Sequence, residues 1–68
     1  MFSNAELNRL SWLCAAQVVD DALSLFPSAF TAEGIRARRD FIARVRETDG
    51  VGMDEVYTWT KIRQLLGS

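Results

Sequence analysis

The chain has no histidine, one cysteine and one proline in 68 residues. Each shortage removes a class of chemistry. Without histidine, neither a Ser-His-Asp nor a Cys-His nucleophilic site can be assembled within one chain. With Cys14 as the lone thiol, no internal disulfide can form and no zinc site is readable. An unpaired cysteine suits a reducing compartment, so the cytoplasm is the expected location. Long apolar runs are missing too. The uncharged stretch from Leu10 to Val19 covers ten residues, whereas a bilayer span needs about 20. The opening Met-Phe-Ser-Asn-Ala-Glu lacks the basic start and apolar block of a secretory signal. No membrane partner is expected.

Charge of one sign is also lacking. Eight basic and nine acidic residues leave a formal charge of -1. Such a chain is no general polyanion binder, and any nucleic-acid role needs local clustering. What is present is ordinary for a globular domain: 49% hydrophobic and 25% charged residues. One domain over residues 1–68 is the ceiling at this length. A core below roughly 70–80 residues rarely supplies more than about 3–5 kcal/mol. With disulfide and metal excluded, association is the remaining supplement.

The pattern predicts an all-α, compact three-helix domain, with helices over about 4–26, 32–47 and 53–66. No segment alternates long enough to be a strand. Ser3 and Glu6 have the spacing of a capping box, and Pro27 ends the first helix. Thr31 caps the second, with Phe30 and Ile35 at staple spacing. Asp49-Gly50-Val51-Gly52 reads as the helix stop. In the third, Val56, Trp59, Ile62 and Leu66 recur at helical spacing, and Asp54 and Glu55 in the first turn suit the dipole.

At about 100° per residue, the first helix carries two apolar stripes. Leu7, Cys14, Val18 and Leu25 form one; Trp12, Val19, Leu23 and Phe26 form another on a different side. One can pack on the other helices. The second is covered either in a tight fold around a central first helix, or as a homodimer or partner seam. On the second helix Arg38 projects into the apolar side of Ile35, Phe41, Ile42 and Val45. Its head must reach water, meet Asp20, Asp21, Asp54 or Glu55, or belong to an interface. Arg36, Arg39 and Arg46 share a sector bordered by Asp40 and Glu47. That sector is either a solvated, charge-laced face with Arg36–Asp40 and Asp40–Arg44 pairs, or a docking surface.

Residues Ile42 to Ile62 resemble a helix-turn-helix around Asp49-Gly50-Val51. Arg46 stands where the tight crossing wants a small residue, and Asp54 and Glu55 open the recognition helix against phosphates. Tyr57, Thr58, Thr60 and Lys61 would be left to read bases. A calcium loop with Gly50 in sixth place fails, because Val45 and Val56 fall at ligand positions. Gly50-Val51-Gly52 lacks the strand and lysine of a phosphate loop. Adjacent acids such as Asp20-Asp21 diverge on a helix, so no acid/base pair converges, and no enzyme or cofactor is expected. The expected role is a small protein–protein interaction module, a homodimer that regulates or inhibits a larger protein by docking on it. Trp12, Arg36, Arg38, Arg39 and Tyr57 are the candidate contacts. A bacterial or phage setting fits the size. The alternative is a helix-turn-helix DNA-binding regulator.

Overall fold

Backbone groups at helix ends need partners, and the chain supplies them at the expected places. The structure, a computed structural model, describes residues 1–67. Helix α1 runs Asn4–Leu25, with Ser3 Oγ accepting from the Glu6 N–H at 3.2 Å. Phe26 closes it, and Pro27–Ala29 form one 3-10 turn. Helix α2 runs Ala32–Thr48, its N-terminus capped by Thr31 Oγ1, which accepts from the Gly34 N–H at 3.0 Å.

The stop after α2 is built from left-handed residues. Asp49 has φ 55°, Gly50 79° and Gly52 73°. The Gly50 N–H returns to the Val45 carbonyl at 3.0 Å. Gly50 is required twice over. Its φ favours glycine, and a Cβ there would lie 2.7 Å from the Arg9 carbonyl oxygen of α1.

The expected third helix is two helices. Helix α3 spans Met53–Val56 and α4 spans Trp59–Gly67. Tyr57 between them is extended (φ -125°, ψ 141°), and Thr58 Oγ1 accepts from the Lys61 N–H at 3.2 Å. The run Val56-Tyr57-Thr58 consists of poor helix formers. Thr58 then gains more as a cap than as a helix interior residue. All described residues in regular structure are helical, so the all-α class stands with four α-helices instead of three.

The core gathers one side of each element. Trp12, Ala15, Ala16 and Val19 come from α1; Phe41, Ile42 and Val45 from α2; Met53, Tyr57 and Ile62 from the C-terminal part. Trp12 is 0% exposed, stacks on Trp59 at 4.2 Å between ring centroids and leans on Phe41 at 6.0 Å. Its Nε1 donates to Asp54 Oδ1 at 3.0 Å, while Asn8 Nδ2 donates to Asp54 Oδ2 at 2.8 Å. Asp54 therefore ties the start of α3 to the first half of α1.

The glycine geometry predicts an asymmetry. Gly52→Ala meets open space and costs only its left-handed backbone, about 1–2 kcal/mol. Gly50→Ala adds a collision with backbone and should cost clearly more. Urea melts of both variants check this, and equal losses would contradict the close approach of Gly50 to α1.

Candidate functional site

The five sequence-level candidates divide by burial. Trp12, Arg38 and Tyr57 lie inside the fold, so none presents a free side chain to a partner. Arg36 and Arg39 are exposed. The reasons differ for each buried residue. Trp12 belongs to the α1 stripe that became the core. Arg38 lies flat at the N-terminal end of α2: its Nη1 donates to the Gly34 carbonyl at 3.1 Å, and its guanidinium carbon sits 4.2 Å above the Phe30 ring centre. Cation–π stacking and backbone bonding thus accommodate a charge that would be costly among apolar groups alone.

Tyr57 sits at the break in the expected third helix. The break at 57–58 turns it inward, to 4% exposure and an edge-on contact with Phe41 at 5.3 Å. Its hydroxyl donates to Asp40 Oδ2 at 2.6 Å, and Lys61 Nζ lies 4.8 Å from the ring centre. The expected Arg36–Asp40 and Asp40–Arg44 pairs are not among the ion pairs of the described residues; Asp40 accepts from Tyr57. Thr58 is the one sequence signal for this arrangement, as a capping residue inside an apparent helix.

The cations sort by partner. Arg9 binds Asp49 through both Nε and Nη2, and Arg46 Nη2 meets Asp20 at 2.8 Å. The Asp49 hydrogen bond and charge raise the Arg9 pKa further, so its charge is fixed. Arg36 and Arg39 have no ion-pair partner among the described residues. Two shallow hollows flank them. One, about 410 Å³, is lined by Glu33, Arg36, Ala37, Asp40, Tyr57 and Lys61. The other, about 400 Å³, is lined by Ala32, Ile35, Arg36 and Arg39. Arg36 is the ridge between them.

On α1 the two stripes have separate fates. Of the Trp12 line, Trp12 and Val19 are enclosed and Leu23 is half-buried, while Phe26 at its end is 62% exposed. Leu7, Val18 and Leu25 on the other line are 50%, 55% and 70% exposed, and Cys14 between them is exposed. Among the described residues no group of three or more acids, cysteines or histidines could hold a metal ion, and no helix is long and apolar enough to cross a membrane. No protein family, curated protein or solved structure matches this chain. Two surface features stand out among the described residues: the exposed arginines of α2 and the exposed apolar line of α1.

The Tyr57–Asp40 contact makes a pH prediction. Burial first, then the hydrogen bond to Asp40 and its charge, push the phenol pKa from 10 up to about 12, with Arg44 acting against them. The unfolded chain loses this proton near 10 and the folded chain holds it to about 12. The stabilisation is complete below pH 10 and declines as pH rises through that interval. Tyr57 is the only tyrosine, so absorbance titration reads it alone. Asp40→Asn should lower the midpoint while leaving it above 10, since burial remains; a wild-type midpoint near 10 would refute the contact.

Proposed function

We propose that the chain is a small non-enzymatic protein–protein interaction module that regulates or inhibits a larger protein by docking on an acidic part of its surface. Arg36 and Arg39 carry the reading: they stand exposed without carboxylate partners among the described residues, beside two hollows, while Arg9 and Arg46 are tied to acids. Arginine pairs carboxylates bidentately and is enriched at binding hot spots. Docking by occupancy needs no catalytic group.

A protein surface suits this ridge better than a nucleic-acid backbone. Glu33 and Asp40 line the same hollow as Arg36, so acids spaced on a protein surface can meet Arg36 and Arg39 while avoiding them, whereas a continuous row of phosphates cannot. The helix-turn-helix alternative has less in its favour. The helix after the turn is four residues long, opens with Asp54 and Glu55, and commits Asp54 to Trp12 and Asn8. A cytoplasmic, bacterial or phage-borne regulator remains the setting that size and the lone cysteine favour.

The test uses the whole chain and a doubly charge-reversed variant, R36E/R39E, as baits in extract of the source cell. Captured protein is purified and titrated against both. The expected result is a stoichiometric complex, weakened by salt and at least about tenfold weaker with R36E/R39E at unchanged helicity. Equal affinity for both baits overturns the reading. So does a mobility shift with duplex DNA that falls steeply with salt.

A further inference from the structure

The open face of α1 has an internal symmetry. Leu7, Cys14, Val18 and Leu25 are separated by seven, four and seven residues. At 100° per residue they lie within about 20° of a single line along the helix. The line is roughly 27 Å long at 1.5 Å per residue. It faces away from the core line of Trp12, Ala16 and Val19, and no other described element covers it. The spacing reads the same from either end of the helix.

We propose that a second copy of this chain covers this face, the two α1 helices pairing antiparallel about a two-fold axis level with Ala16. Under that symmetry Leu7 meets Leu25 of the second copy, and Cys14 meets Val18. An isologous interface needs such self-complementarity, because every contact occurs twice.

Charge fixes the direction. Asp21, already hydrogen-bonded to Gln17 at 2.9 Å, is the one charged residue within about 40° of the line. Antiparallel pairing holds the two Asp21 carboxylates about 15 Å apart along the axis. Parallel pairing would set them level across the seam and would align the helix dipoles as well. The flank on the other side carries Ser11 and Ala22, small residues that let the axes approach. With four short side chains per copy the interface is small, and a dissociation constant of about 1–100 µM is expected.

Sedimentation of the whole chain from about 5 to 500 µM tests the pairing, and this range brackets that expected constant. The expected result is a concentration-dependent dimer that Val18→Glu converts to a monomer with unchanged circular dichroism. A cross-linking arm tests the register. In the antiparallel pair the V18C thiol faces Cys14 of the second copy, so V18C should oxidise to a covalent dimer. Wild type and C14S/V18C should not, because like thiols are offset by about 6 Å along the axis in addition to the gap between the helices, which together take their Cα atoms beyond the roughly 7 Å disulfide limit. Cross-linking of both single-cysteine chains indicates parallel pairing and overturns the proposal. A wild-type monomer at every concentration overturns it as well. The docking reading stands or falls separately, with R36E/R39E.

Discussion

The burial of the Trp12 indole is the constraint that organises this molecule. The ring stacks on Trp59 of α4, leans on Phe41 of α2, and sends its one donor to Asp54 of α3. A single side chain on α1 therefore touches every later helix. Large aromatics combine apolar area with a fixed geometry, and the buried N–H demands a partner. Once Trp12 points inward, the rotation of α1 is set. Ala16 and Val19 follow it into the core, and the line through Leu7 and Leu25 must face out. The exposed stripe is thus a consequence of the core and not a separate defect.

The same constraint explains which parts were legible beforehand. Caps and stops are local, so Ser3, Thr31, Pro27 and the Asp49–Gly52 turn could be read from their neighbours alone. The two stripes of α1 were also readable, because helical periodicity is local; which one would be buried was not. The third helix failed for a different reason. Val56, Trp59, Ile62 and Leu66 keep helical spacing on paper, yet only Ile62 is fully buried. The break at Tyr57-Thr58 resets the rotation of α4 relative to α3, so positions across it no longer share a face. Its cause is partly tertiary. Tyr57 gains burial against Phe41 and a bond to Asp40, a residue seventeen positions away in the chain.

Arg38 shows how a local conflict can be settled by a local device. An arginine at the centre of an apolar side had to reach water, an acid or an interface. Phe30 just before α2 supplies a ring face for it, and the Gly34 carbonyl one turn earlier accepts a hydrogen bond. Gly34 belongs to the same arrangement. A Cβ there would lie 3.0 Å from the Arg38 Nη1, so a larger residue would press on the guanidinium. The residue that weakens the first turn of α2 by propensity makes room for the charge.

Size connects the core to the surface. A chain of 68 residues with a single thiol has neither disulfide nor imidazole ligands to supplement its core. Binding that favours the folded form stabilises it by mass action, whatever the partner. An apolar line left open on a helix whose other side is fully used is the cheapest place to obtain that support, since no core residue must change. The exposed arginines of α2 add little to the fold, because exposed charges stabilise weakly; their proposed part is in binding. Under the two proposals the apolar line would serve stability and the charged ridge selectivity. Substitutions on one should then leave the other intact, as expected for separate surfaces without shared contacts.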